Sequence, residues 1–474
     1  MLTTPAPWPG DPACGHHVAA AYQTHYCTYI RVPRLLSLQP GAAGDGLLLV
    51  TAYQWYELWF KVLLADLRAA LADPADTYEP VKLLRRGLEL FKLFEQHADL
   101  GDNVLVRELA LRQPVADALH RPPSAQFQQL AALQPGLARL AAVAFPGLAD
   151  AVAEYRARWA AFAKRYRAFA RATLVRDTQA PRFAEWLRLP DLLDLQQAVK
   201  SAWTAVDAMP AGHWQPPRIS PDELMFVIVH QCFEVWFKVM LALIDRAGPA
   251  LAAGDVAAAG ALVRRVVLIQ RLLVPQIQIP ATMLPLDFMR FRDQRLTTNG
   301  VTTWTGLTPA SGTESYQFRE IEIVCGLRDD PVFQKYLAGS DLLPIRLLTP
   351  GQQQRLTEPT LPEVFMAAVQ QRGLDRLEQL FTPASVPNPH LDLAVLADHL
   401  LDFDQFFRFW RLGHVSMVER MIGARSGTGF LGPEYLAETT GATIQAHNRI
   451  FEERQVRPRF FEALWEVRAK LSAL

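Results

Sequence analysis

Apolar residues recur at steps of three and four through most of the chain, the spacing that lines one face of a helix, while runs of alternating β-branched residues are nearly absent. The pattern predicts an all-α protein, a bundle of amphipathic helices. Ala, Leu, Arg and Gln dominate and favour that state. Prolines gather at 210–221, 275–285 and 383–389, where a missing amide donor breaks helices and turns the chain at corners of the bundle. The two most apolar stretches, 47–64 and 224–244, carry Gln, Glu and Lys at helical spacing. They read as buried amphipathic helices, and no membrane span is needed.

The pattern also repeats within the chain. Asp45 to Lys61 reads DGLLLVTAYQWYELWFK and Asp222 to Lys238 reads DELMFVIVHQCFEVWFK, with eight identities in seventeen ungapped positions. Composition alone would give roughly one or two. Upstream, IRVPRLLSLQ (Ile30 to Gln39) matches LRLPDLLDLQ (Leu187 to Gln196); downstream, LLRRGLELFKLF from Leu83 matches LVRRVVLIQRLL from Leu262. Three matches in one order predict two tandem copies, 1–178 and 179–474.

Composition narrows the partners. The 474 residues leave room for two or three domains and a core that encloses a cofactor. Lys plus Arg and Asp plus Glu both total 48, so no net field draws the chain to nucleic acid or an anionic membrane. A neutral or zwitterionic small ligand is expected instead. Cys14, Cys27, Cys232 and Cys325 lie far apart, without the close pairs of zinc sites or the density of a disulfide scaffold. With no signal-peptide pattern in the first fifteen residues, a cytoplasmic location is expected.

Four motifs carry candidate chemistry. Phe226, His230, Phe233 and Phe237 share one helical face, which aims an imidazole at the core; taken alone, such a histidine is more often a hydrogen-bonded core residue. Phe407, Trp410, His414, Met417 and Met421 place a second histidine on an aromatic and thioether face, the surroundings a haem iron ligand needs. In LPLDFMRFRD, Arg292 sits among Phe288, Met289 and Phe291, either to clamp a carboxylate or to pair with Asp293 or another acid. ARSGTGFLG, Ala424 to Gly432, offers mobile glycines and the Thr428 hydroxyl, although ordinary helix ends look similar.

Taken in order, WLRLPDLLDLQ, DELMFVIVHQCFEVWFK, PLDFMRFRD, PASGTESYQFREIE and FRFWRLGHVSMVERMIGARSGTG make the second copy resemble the tryptophan 2,3-dioxygenase family. The resemblance implies a helical fold, one haem b per active site, and insertion of O2 across the indole C2–C3 bond of L-tryptophan to give N-formylkynurenine. It implies His414 as the proximal iron ligand and His230 as the distal histidine on the indole N–H. Phe226 and Phe288 become pocket walls, Arg292 the carboxylate clamp, Ser311 the serine near the ligand, and Thr428 the threonine that closes over the substrate's polar end. Two departures border that site. Where the family continues Gly-Thr-Gly-Gly-Ser-Ser-Gly, this chain has Phe430 and Leu431, and a longer segment, DQRLTTNGVTTWTGLTPA, links Arg292 to Ser311. They leave open a second reading, a related haem enzyme that oxidises a substituted tryptophan or another aromatic amino acid in a biosynthetic pathway. A third, a non-catalytic helical haem-binding protein, is opposed by the joint retention of His230, Arg292 and Thr428.

The first copy reads as degenerate. Tyr53 stands opposite His230, and aligning YRAFARAT with FRFWRLGH puts Thr173 opposite His414, so no haem is expected there. In the resembled family a Tyr-x-x-Tyr pair before the Leu-rich entry helix reaches into a neighbouring subunit's pocket. Here the first copy has Tyr26 and Tyr29, and the second has Phe183 and Trp186. The chain is therefore expected to be a dimer in one polypeptide whose first copy completes the second copy's site, assembling further as a homodimer of fused pseudo-dimers.

Overall fold

A computed structural model of the chain describes residues 26–39, 44–72, 78–118, 122–143, 147–196, 219–292, 295–298, 301–304, 312, 315–331, 333–334, 350–423, 442–444, 451–453 and 459–471. Ser311, Thr428, Phe430, Leu431 and Cys14 lie outside them. The described residues are overwhelmingly helical, with three small two-stranded sheets, as the periodicity predicts. They divide into two compact units, one of Cys27–Trp236 and Pro275–Leu307, the other of Phe237–Val274 and Thr308–Leu474 with Tyr26. The repeat boundary near 178 falls inside the former.

In the unit of Cys27–Trp236 and Pro275–Leu307, the Asp45–Ala72 helix is central, with Tyr53, Trp55, Trp59 and Phe60 wholly enclosed. The Glu79–Ala98 and Leu148–Thr173 helices pack close together at Gly87, where an added Cβ would come within 2.3 Å of the Tyr155 ring. Only glycine permits that approach. Phe91, Phe94, Tyr155 and Phe162 fill the seam with mostly edge-on or tilted rings, an arrangement worth about 0.5–1.5 kcal/mol per pair beyond their burial.

The two repeated entry segments share an unusual backbone. Arg31 and Arg188, at matched positions, both take a left-handed conformation (φ 60° and 54°) directly before a Pro-containing turn of helix. A side chain there is strained by about 1–3 kcal/mol unless its surroundings demand it. The matched glutamines of the two long helices supply such a demand. Gln54 donates to the Leu187 carbonyl at 3.1 Å, and Gln231 donates to the Ile30 carbonyl at 3.0 Å. Leu187 and Ile30 hold matched positions in the sequence, so each glutamine holds the segment matched to the one that precedes its own helix.

The longer segment after Arg292 carries a hairpin, in which Arg295–Thr298 pairs antiparallel with Val301–Trp304. The residues between the strands are Asn299 and Gly300, the pair most favoured in a two-residue hairpin turn, and the flanking Thr and Val residues favour strands.

In the other unit, the Leu391–Ile422 helix meets the Tyr316–Val324 helix through Phe318 stacked on Phe407, with centroids 5.3 Å apart. Glu322 accepts from Arg411 at 2.7 Å and from Arg319 at 2.5 Å, which neutralises a buried carboxylate. Asp404 accepts from the Trp465 indole at 2.9 Å and fixes the Glu462–Leu471 helix. The Pro221–Ala252 helix is apolar and long enough to cross a bilayer, yet 83% of its apolar window is buried inside the protein, with Gln231 and Glu234 fully enclosed.

Candidate functional site

The Pro221–Ala252 helix brings Phe226 and His230 together one turn apart, with rings 4.6 Å from centroid to centroid. Phe226 also meets Phe288 and Phe291, each at 5.5 Å, from the short Pro285–Arg292 helix. That helix ends in Arg292, a residue 6% exposed whose guanidinium lies 3.6 Å from the Met289 sulfur. Three of the residues singled out in the sequence, Phe226, His230 and Phe288, therefore form one ring cluster from two helices, and a fourth, Arg292, lies one turn beyond Phe288 on the second helix.

His230 Nδ1 lies 2.7 Å from the Phe226 carbonyl oxygen. A carbonyl only accepts, so Nδ1 carries the proton and Nε2 the lone pair. Burial pushes the imidazole down to about 4, against the upward pull of that carbonyl. At neutral pH the ring is uncharged, the form that can accept a hydrogen bond from an indole N–H.

Beneath this cluster lies a buried ionic network that the sequence reading missed. Arg86 is wholly enclosed and bonds Asp66 (3.0 Å), Asp222 and the Thr282 hydroxyl (3.0 Å). Lys82, one turn earlier, reaches Glu79, Asp222 and Asp287. Burial works against the Lys82 charge, but its carboxylates outweigh burial and hold the ammonium above its ordinary value. Its partners are 140 and 205 residues away in sequence, so no local pattern announces them.

Tyr26 and Tyr29 are both buried in the Tyr26–Ile30 helix. The Tyr29 hydroxyl donates to Glu223 at 3.3 Å, on the helix that carries His230 and two turns before it. Phe183 and Trp186, at the matched positions, instead turn to Tyr53 of the first copy, with ring centroids 5.3 and 5.7 Å away. Tyr53 and Thr173, aligned with the two site histidines, touch directly, their oxygens 2.7 Å apart. No planar macrocycle fits between groups in hydrogen-bond contact.

His414 lies on the Leu391–Ile422 helix with Trp410, ring centroids 5.4 Å apart. The sequence places this whole face in the core. In the structure Phe407 and Met421 are buried, but Trp410, His414 and Met417 are half-exposed, although Phe318 lies against Trp410 (5.1 Å) as well as Phe407 (5.3 Å). Ser311 and Thr428, proposed for the same site, lie outside the described residues.

A further histidine, His97, escaped the sequence reading. It is fully enclosed, stacked on Trp55 at 4.8 Å and edge-on to Tyr56, and neither ring nitrogen has a hydrogen-bond partner among the described residues. Burial alone pushes it from 6.5 down to about 3. Because the folded value lies below the unfolded one, the unfolded chain takes up this proton first, and stability falls as pH drops from about 6.5 toward 3. The second copy carries Gln276 at the matched position, so His97→Gln is a mild replacement. Between pH 7.5 and 5 the parent should lose about 2 kcal/mol more than this variant, read from urea midpoints. An equal gap at both pH values would remove the assignment.

Residues 209–369, which span Phe226, His230 and Arg292, match the family described as tryptophan 2,3-dioxygenase. A tryptophan 2,3-dioxygenase of Nocardioides sp. is 33% identical over 261 residues, 52% of this chain and 84% of the relative. That of Herpetosiphon aurantiacus is 31% identical over 311 residues, 62% of this chain and the whole of the relative, and that of Caulobacter vibrioides is 32% identical over 270 residues. With a helical fold and identity of 31–33% across 84% or more of such relatives, the chain belongs to the tryptophan 2,3-dioxygenase family of oxidoreductases.

Proposed function

We propose that the protein inserts O2 across the indole C2–C3 bond of L-tryptophan to give N-formylkynurenine, using one haem b per chain with His414 as its axial ligand. The observation that carries the substrate is the ring cluster of Phe226, His230 and Phe288 ending directly in the buried Arg292. An apolar slot with one neutral imidazole suits an aromatic ring with a single donor, and a guanidinium suits its carboxylate. The donor chemistry at His414 fits haem b: one imidazole on a half-exposed face with Trp410 and Met417 provides an axial nitrogen and an apolar surface for a macrocycle. When bound, haem supplies the activation of O2.

The chain's own residues act by placement. Arg292 holds the carboxylate, His230 Nε2 accepts the indole N–H and sets the ring's orientation, and Phe226 and Phe288 exclude water from its faces. His230 is not required as a base, since its depressed basicity makes it a poor one. Ser311 and Thr428 are assigned by resemblance to the ligand pocket and the substrate's polar end.

The relation between the copies follows the same reading. A complete relative accounts for 62% of this chain, which leaves room for an added, degenerate unit. The reciprocal Gln54 and Gln231 contacts have the form of an isologous dimer interface within one chain. The Tyr53–Thr173 contact supports a first copy without haem, and the Tyr29–Glu223 bond supports a first copy that completes the second copy's site. Two such chains would form the homodimer, in the cytoplasm.

Ferrous holoprotein in air with L-tryptophan tests the assignment, with formation of a kynurenine-type chromophore as the expected outcome. The hairpin beside Arg292 favours the second reading as an alternative: no turnover of L-tryptophan with turnover of a ring-substituted tryptophan would establish it. Turnover of neither would leave a binding protein.

A further inference from the structure

Lys82 has no role in the resemblance, yet it is the point where the two halves of the substrate cluster are tied together. Its side chain is 2% exposed, and its ammonium lies 2.7 Å from Asp222 Oδ2 and 2.8 Å from Asp287 Oδ2. Asp222 opens the helix that carries Phe226 and His230. Asp287 sits in the first turn of the helix that carries Phe288 and Arg292.

The second of these helices needs such an anchor. Pro285–Arg292 has eight residues, too few to be stable by its own hydrogen bonds. Its Phe288 and Phe291 rings rest on Phe226, but apolar contact is non-directional and leaves the helix able to slide or turn. Among the described residues, Lys82 is the charged partner that Asp287 finds outside its own helix, the other being the exposed Arg290 at 3.8 Å. Arg86 braces the preceding turn at Thr282 and the start of the long helix at Pro221 and Asp222, and Lys82 is the member of the network that reaches the helix of Arg292 itself. Arg292 lies five residues beyond Asp287, about 7.5 Å along the axis, so a small tilt at the anchor displaces the guanidinium. A displacement of about 1 Å can cost up to a hundred-fold in a positioned interaction.

We propose that Lys82 is a positioning residue: through its ion pair with Asp287 it sets the register of the Pro285–Arg292 helix and thereby aims Arg292 at the carboxylate of an aromatic amino-acid substrate. This rests on the reading of Arg292 as the carboxylate clamp. It makes a residue of the first copy, buried away from any ligand, a determinant of amino-acid affinity.

The test uses the holoenzyme with Lys82→Met, Asp287→Asn, the double variant, Lys82→Arg and, alongside, Arg292→Ala. Steady-state KM and kcat are measured with L-tryptophan, and binding of L-tryptophan and of its decarboxylated amine is followed by the haem absorbance. Lys82→Met and Asp287→Asn should each raise KM about five-fold with kcat within about two-fold, and the double variant should go no further. Lys82→Arg should recover most of the loss, and affinity for the amine should stay at the parental value in every variant. Asp287 is partly exposed, so Asp287→Asn carries the test if Lys82→Met does not fold. An unchanged KM in Asp287→Asn, or an equal loss of affinity for the amine, overturns the positioning role. Should Arg292→Ala alone raise KM, only the Lys82 inference fails; should Arg292→Ala also leave KM unchanged, the clamp reading fails and takes the inference with it.

Discussion

His414→Ala is expected to purify as a folded, helical protein without a Soret band. Haem iron needs a strong nitrogen ligand, and a non-covalent macrocycle at this face would otherwise be held by apolar contact with groups such as Trp410 and Met417. His230 cannot take over through Nδ1, which is bound to the Phe226 carbonyl. His97 is sealed among Trp55, Tyr56 and neighbouring rings. Far-ultraviolet circular dichroism should match the parent, because His414 is half-exposed and its loss leaves the Phe318–Phe407 stack and the Arg411–Glu322 pair in place. Added imidazole should restore part of the Soret absorbance by standing in for the missing ring. Parental haem content in the purified variant would show that another residue ligates the iron.

The second large effect is expected at Arg292. The residue is 6% exposed, so a carboxylate bound there would form a charge-assisted hydrogen bond sheltered from water, worth about 1.5–3 kcal/mol. Arg292→Ala should therefore weaken binding of L-tryptophan by roughly ten- to a hundred-fold, with haem content unchanged. The decarboxylated amine should bind parent and variant alike, since it offers no anion to the clamp. Parental affinity for the amino acid in Arg292→Ala would place the clamp elsewhere.

Much of this arrangement is legible in the chain. The three- and four-residue spacing of apolar positions announces the helices, and the one-turn separation of Phe226 and His230 places their rings together wherever the helix packs. The internal comparison of Tyr29 with Trp186 anticipates that they turn to different partners, the former to Glu223 and the latter to Tyr53. The hairpin after Arg292 is also written locally, in Asn299-Gly300 between Thr- and Val-containing strands. Lys82 was not legible in this way. On its own helix it is one more basic residue near Glu79, and nothing in its neighbourhood distinguishes it from a solvated lysine.

The sequence by itself determined the helical class and the family, because helices depend on spacings within a few residues along a chain of fixed helical pitch and the family on motifs quoted in order. Only the tertiary structure decided that the positions matched to the two site histidines close on each other as Tyr53 and Thr173, that His414 stands half-exposed, and that Lys82 binds Asp222 and Asp287 across 140 and 205 residues. Ion pairing and burial are set by which surfaces meet when helices pack. A charge or an imidazole carries no record of that meeting in the residues beside it, and its role becomes visible once the partner across the fold is in place.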